Sequence, residues 1–557
     1  EEAIIKKNKN KSITLFGKDF SLVDICNKYN LSYSAVLTYQ NRHKEKSIEE
    51  TLWDSANKLR GTVESSEYKH VVLGLIFLKF ASDKFEERRK ELIADNKEKF
   101  LEMKEFYNMS NIFYLPEESR WSFIIENSKQ ADIALKIDTA LHTIEKNNPA
   151  LKGALPDNYF SRLNMDVSKL AALLDTINNI DTIKDKQQDI VGRVYEYFLS
   201  KFALAEGKGK GEFYTPKSIV NLIAEMIEPY KGVIYDPACG SGGMFVQSIK
   251  FIENHHGNKK EISIYGQEYT ATTYKLAKMN LAIRGIAANL GDVPADTFGK
   301  DQHPDLKADF IMANPPFNQK DWRASDELTD DPRWRGYDVP PTSNANYAWI
   351  LNMVAKLSEN GVAGFILANG ALSGGGEEYK IRRKLIENDL VEAIVILPRN
   401  MFYTTDISVT LWILNKNKKA RTVQLPDAVR NYRDRQHEIL FLDLREKGIP
   451  FEKKYTQFSD DNIIEITEAY HNWQTDLTKY QDVPEFCYAA SIDEIEAKDY
   501  SLVPSKYITF VNRDENIDFE DKMKGLQTEF AELLKAEAQS KNDLLTVFKE
   551  LGYAIEL

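Results

Sequence analysis

Apolar positions between residues 230 and 415 come in short unbroken runs separated by helical patterns. The runs are Gly232–Tyr235, Ile262–Tyr265, Ala287–Leu290, Asp309–Ala313, Val362–Ala368, Val391–Leu397 and Ser408–Leu414. Helical patterns fill Gly243–Glu253, Thr270–Arg284, Tyr347–Ser358 and Glu378–Asn388. This alternation predicts a largely parallel sheet with helices on both faces, an α/β domain. A short turn around Pro398-Arg399-Asn400 joins the last two runs, which predicts an antiparallel pair at the sheet edge. Glu438–Leu444 is a candidate further strand.

The flanks read differently. In residues 1–46, Leu22, Ile25, Cys26 and Tyr29 share one helical face, and a second helix is expected from about Tyr33 to His43. Two short helices with a tight turn suggest a helix-turn-helix-like module, or a plain helical hairpin. Residues 47–205 read as a helical domain, with Val71–Phe85 apolar nearly all round and therefore buried. Gly207-Lys208-Gly209-Lys210-Gly211 is a flexible linker into the α/β domain, placed at 206–480. Residues 481–557 start irregular and turn helical from Phe519. Met523, Leu526, Phe530 and Leu533 have coiled-coil spacing, Glu537 and Ser540 interrupt it, and Leu544 resumes it. Two helices or one interrupted helix are expected, docked on a partner or on the chain's own body.

Composition narrows the class. The 557 residues are 43% hydrophobic and 28% charged, ordinary for a water-soluble protein of several domains. No stretch reaches the roughly 18 apolar residues of a membrane span. The start, Glu1-Glu2 and then lysines, lacks a signal-peptide core. Cys26, Cys239 and Cys487 are far apart, so neither a disulfide framework nor a metal site is read, and a cytoplasmic protein is expected. The net charge of −12 is wrong for a chain that grips nucleic acid alone. Arg382-Arg383-Lys384 and Arg430 to Arg435 are basic enough to face a duplex, but solvated faces are the simpler expectation.

Candidate chemistry sits at the ends of the predicted strands, where open α/β sheets bind ligands. Asp236-Pro237-Ala238-Cys239 leads into Gly240, Ser241, Gly242 and Gly243, a strand-to-helix loop that lets the backbone approach a ligand. It is neither a dinucleotide fingerprint nor a phosphate loop. An acid before the glycines suits a cationic, hydroxyl-rich ligand such as S-adenosylmethionine. Glu268 ends the second strand and suits ribose hydroxyls; Asp292, after the third, suits an adenine amino group. Asn314, Pro315, Pro316 and Phe317 end the fourth. Two prolines stop a strand, leaving an asparagine amide, carbonyls and a ring at its edge. Asn314 and the Pro315 carbonyl can accept both protons of an exocyclic amine, localising its lone pair for attack on a methyl group, while Phe317 stacks the base. That base has to be flipped out of a duplex. Glu212, Phe213, Tyr214, Thr215, Pro216 and Lys217 offer an aromatic wall and a hydroxyl near the cofactor's methionine part.

Together these stretches resemble amino-methylating DNA methyltransferases, specifically the modification subunits of type I restriction-modification systems. The match is carried by Gly211 to Pro216, Asp236 to Phe245, Glu268, Asp292 and Asn314 to Phe317. Asn346-Tyr347-Ala348-Trp349, Gly361 to Asn369, Ser408 to Leu414, Leu52–Arg60, Tyr68–Phe80, Tyr195–Phe202 and Asp499-Tyr500-Ser501-Leu502 support it, so it runs from about residue 47 to the C-terminus. The resemblance implies a Rossmann-like S-adenosylmethionine-dependent methyltransferase domain that methylates N6 of adenine in double-stranded DNA. It further implies a separate specificity subunit flanked by two modification subunits, and a complex that a restriction subunit can join. The module before residue 47 is not a usual part of such subunits. A self-sufficient amino-methyltransferase, on adenine N6 or cytosine N4, and a non-catalytic DNA-binding regulator are the alternatives.

Overall fold

The computed structural model describes residues 12–15, 18–21, 48–57, 65–110, 112–163, 165–180, 196–201, 215–402, 406–426, 429–451, 454–511 and 519–550. The helix-turn-helix-like pair expected between Leu22 and His43 lies outside these residues. Ahead of it, β1 (Ser12–Leu15) and β2 (Lys18–Ser21) pair as an antiparallel hairpin.

The helical domain contains α1 (Ile48–Asn57), α2 (Ser65–Ala94), α3 (Ile133–Asn147) and α4 (Val167–Asn178). Its axis is α2, whose all-round apolar segment is buried as expected: Val71, Leu73, Leu75, Phe77, Leu78 and Phe85 are inaccessible. Leu276, Met279 and Ile283 of the next domain belong to the same apolar core, so the two domains share packing.

Residues 217–497 form the α/β domain. In chain order it contains α5 (Lys217–Ile227), β3 (Gly232–Asp236), α6 (Gly243–Asn254), β4 (Ile262–Gly266), α7 (Ala271–Ile283), β5 (Ala288–Asn289), β6 (Ala308–Ala313), α8 (Asn346–Lys356), β7 (Leu357–Ala368), α9 (Gly376–Glu387), β8 (Val391–Ile396) and β9 (Val409–Asn415). After these come β10 (Arg421–Gln424), β11 (Val429–Tyr432), β12 (Glu438–Asp443), β13 (Ile449–Phe451), β14 (Tyr455–Gln457), α10 (Asp460–Thr475) and β15 (Cys487–Ser491). Nine strands make one sheet in the order β15-β12-β8-β9-β7-β6-β3-β4-β5. It is parallel except at β9 and β15. Helices α5, α6 and α10 cover one face, and α8 and α9 the other.

Three expectations are corrected. β8 and β9 are antiparallel, but they lie inside the sheet, with β9 between β7 and β8. All seven residues of β9 are buried, the mark of a strand covered on both faces. The segment after Asp482 is not irregular: β15 pairs with β12 and forms the sheet edge. The C-terminal pattern is a single helix, α11 (Phe519–Glu550). Every described side chain on it from Lys522 to Asn542 is exposed, so none of the described residues covers its apolar stripe there.

The basic clusters are split: Arg383 and Lys384 lie on a solvated helix face, as expected, whereas Arg382 and Arg435 are buried. Buried Arg382 donates to the Tyr500 and Gly374 carbonyls. Arg383 pairs with Glu387, Lys384 with Asp338, Arg430 with Glu228, and fully buried Arg435 with Glu392. Among the described residues, no helix is long and apolar enough to cross a membrane.

Candidate active site

The strand order reverses between β3 and β6. From β3 the sheet grows to β4 and β5 on one side and to β6 and β7 on the other. The carboxyl ends of β3 and β6 therefore flank the crevice where open α/β sheets bind ligands. β3 delivers Asp236 and the glycine loop to that crevice; β6, in register beside it, delivers Asn314 to Phe317.

The loop after β3 is held open by its backbone. Gly240 and Gly242 have φ of 53° and 80°, and Gly242 caps the N-terminus of α6. Asp236 is buried, and one of its carboxylate oxygens accepts from the Ala238 N–H at 2.9 Å. Burial pushes its carboxyl up to about 8; the nearby charge of Glu268 adds to the rise, against the Ala238 hydrogen bond. Glu268 accepts from the Gly240 N–H at 3.1 Å and from the Thr270 N–H at 2.8 Å, which ties the ends of β3 and β4 together. The two strand-end acids thus lie close enough for the charge of Glu268 to oppose ionisation of Asp236.

Asp292 is exposed, three residues beyond β5, and joins the group through two glutamines. Gln302 accepts from the Asp292 N–H at 2.9 Å and donates to the Val293 carbonyl at 2.7 Å. The Gln302 N–H in turn donates to Gln267, which donates to the carbonyls of Ala295 and Lys300. Gly291 has φ of +80°, and a Cβ there would lie 2.4 Å from the Gln302 amide, so this loop requires glycine.

At the end of β6, the Asn314 amide nitrogen donates to the Thr215 hydroxyl at 3.0 Å. Its oxygen is buried, and among the described residues no group donates to it. The Phe317 ring meets Phe402 edge-on, with centroids 5.9 Å apart. Thr215 and Lys217 line a small crevice with Ser241 and Gly243, which brings the segment before α5 against the glycine loop.

The expected site residues Thr215, Pro216, Lys217, Asp236, Gly240 to Gly243, Glu268, Asp292 and Asn314 to Phe317 are thus collected along one edge. Glu212, Phe213 and Tyr214 lie outside the described residues. The Thr215 hydroxyl, expected near the cofactor, bonds the Asn314 amide. Sequence reasoning missed Gln267 and Gln302, whose roles depend on contacts distant in sequence. It also missed Phe402, which the Phe317 ring meets edge-on; Tyr269 and Val293, each directly after a strand-end acid, are exposed.

A family model described as N-6 DNA Methylase matches residues 186–516, and one described as HsdM N-terminal domain matches residues 48–180. The chain is 42% identical over 455 residues to the type I restriction enzyme HindI methylase subunit of Haemophilus influenzae, covering 77% of this chain and 99% of that one. It is 36% identical to the type I restriction enzyme MjaIX methylase subunit of Methanocaldococcus jannaschii, over 94% and 95% of the two chains. Among solved structures, a type I restriction-modification system methyltransferase subunit from Streptococcus thermophilus shares the fold. Its TM-score is 0.68 at 24% identity, over 83% of this chain and 99% of that one.

Proposed function

The chain belongs to the N-6 DNA methylase family, among the methylase subunits of type I restriction enzymes, and from that premise we propose how its residues divide the work. It is an adenine-specific DNA methyltransferase of a type I system. The observation that carries the reading is the buried Asn314 oxygen, which lacks a donor among the described residues and lies beside the glycine loop at the switch point.

S-adenosylmethionine is the donor that fits this floor, and when bound it supplies an electrophilic methyl group on a positively charged sulfur. Asp236 and Glu268 offer carboxylates to its cation and ribose hydroxyls, and Asp292 accepts from its adenine amine. Tyr269 and Val293 offer apolar surface to the adenine ring. Thr215 holds the Asn314 amide by its nitrogen, which leaves the oxygen for the substrate. Asn314 and the Pro315 carbonyl then accept the two N–H groups of the target adenine's amine. An amine held this way would keep its lone pair localised on nitrogen and available to the methyl group, and the rate gain would be orientation and electrostatics rather than strong base catalysis. Phe317, backed by the edge of Phe402, stacks the flipped base.

Sequence choice is assigned to a specificity subunit, with two copies of this chain flanking one such partner. Two observations support this. The buried arginines of the two basic clusters, Arg382 and Arg435, are engaged within the fold, and Arg383, Lys384 and Arg430 are each paired with an acid of this chain. Helix α11 also presents Met523, Leu526, Phe530 and Leu533, 40–63% exposed, along 32 residues, long enough for a coiled-coil seam of about 48 Å. Methylome sequencing of cells carrying the chain with and without its partner tests the assignment. N6-methyladenine at one motif, present only with both proteins, is expected. N4-methylcytosine, or methylation without the partner, would overturn it.

Cofactor affinity should depend on pH through Asp236. Its carboxyl, raised to about 8 in the ligand-free chain, must ionise to serve a cation or hydroxyl donor. A raised acid favours the folded state below its unfolded pKa, and that contribution is lost as pH rises through about 8. Ligand binding reverses the preference. Affinity is expected to fall below pH 8, approaching about tenfold per unit, with up to one proton released per cofactor bound. Calorimetry in buffers of different ionisation enthalpy measures both; flat affinity without proton release would refute the role.

A further inference from the structure

Between the base-holding turn and α8 the chain makes a long excursion whose two ends are fastened together. The Asn318 N–H donates to the Asn346 side-chain oxygen at 3.0 Å, and the Asn346 amide nitrogen donates back to the Asn318 side-chain oxygen at 2.9 Å. Two further rungs close the base of the excursion: Ala345 N–H to the Gln319 carbonyl at 2.9 Å, and Asp321 N–H to the Thr342 carbonyl at 3.1 Å. Asn346 is fully buried at the first position of α8, whose Tyr347, Ile350, Leu351 and Met353 are also inaccessible. One end of the clasp is therefore rigid.

The other end needs holding. Asn318 has φ of +51°, a left-handed conformation disfavoured for any residue with a Cβ. It directly follows Phe317, so its backbone angle sets the direction of the ring and of the Pro-Pro turn behind it. An amide is suited to the far side of the clasp because it accepts from the Asn318 N–H and donates to the Asn318 side chain at once. Aspartate would place a negative charge against that side-chain oxygen, and alanine would leave a backbone N–H without its partner.

We propose that Asn346 is a positioning residue for methyl transfer: its amide clasp holds Asn318 left-handed and thereby fixes the Phe317 platform against which the target adenine rests. The inference deepens the function proposed above and rests on it.

The test uses the full chain assembled with its DNA-recognition partner. Single-turnover methylation at saturating DNA and S-adenosylmethionine is compared for wild type, Asn346→Ala and the double variant Asn318→Gly, Asn346→Ala. Asn346→Ala is expected to be slower by about 10²-fold, the scale of a roughly 1 Å misplacement, with cofactor affinity retained. Glycine adopts the left-handed angle without the clasp, so the double variant should recover about tenfold of that loss. In the isolated chain, the fluorine resonance of 4-fluorophenylalanine at position 317 should broaden or shift in Asn346→Ala and return toward wild type in the double variant. A wild-type rate in Asn346→Ala would overturn the proposal. So would a loss that glycine does not recover and that parallels lost cofactor binding, since it would mean that α8 has moved. A wild-type complex that transfers no methyl group would instead overturn the proposed function, and the fluorine resonance would still decide the clasp.

Discussion

Asn314→Ala is expected to slow single-turnover methyl transfer by about 10²–10³-fold, the scale seen when one preorganised polar group is removed from a reacting centre. Affinities for S-adenosylmethionine and DNA should change little, because the lost interaction matures as the amine turns pyramidal. Asn314→Asp should fall between alanine and wild type: it keeps an acceptor for the amine but loses the N–H that bonds Thr215 at 3.0 Å. Rapid-quench measurement with labelled methyl donor separates these cases. A wild-type rate in the alanine variant would remove Asn314 from the chemistry.

The largest expected stability loss lies at a buried ion pair where β8 and α10 meet. Arg435 and Glu392 are both inaccessible to solvent and bond at 3.0 Å. Asn415 and Gln474 also donate to Glu392, at 2.7 and 3.1 Å. Burial alone would raise the Glu392 carboxyl, but the charge of Arg435 and these hydrogen bonds hold it below its ordinary value. Arg435→Met would leave that carboxylate buried without its main counter-charge, at a cost of about 3–5 kcal/mol in urea unfolding at neutral pH. Because the native carboxyl is depressed, its stabilisation is present above the unfolded carboxylate pKa and fades as pH falls through the folded value. The gap between variant and wild type should therefore narrow in acid. An equal gap at all pH values would assign the loss to packing.

How much of this was legible depends on the range of the contacts. The parallel sheet, the glycine loop and the Asn-Pro-Pro turn are local patterns, and they lie where the periodicity placed them. β15 was missed because Cys-Tyr-Ala-Ala-Ser has little strand character; β12 makes it a strand. The β8–β9 pair was placed at the edge because its short connection reports adjacency and not which strand lies inside. Arg435 reads as a surface charge because its partner, Glu392, is 43 residues away. The Thr215 bond to Asn314 spans 99 residues, and composition carries no trace of it.

The position of β15 also bears on synthesis. The sheet that carries the site is not closed until Cys487–Ser491 has been made, and the Tyr507 ring then stacks on Phe441 of β12 at 4.1 Å. Until those residues leave the ribosome, β12 presents an open strand edge, the kind of surface on which nascent chains mispair. Helix α11 comes later in translation order. A partner that captures α11 therefore meets a catalytic domain whose last strand is already available, and shortening the chain at residue 480 would leave that edge bare.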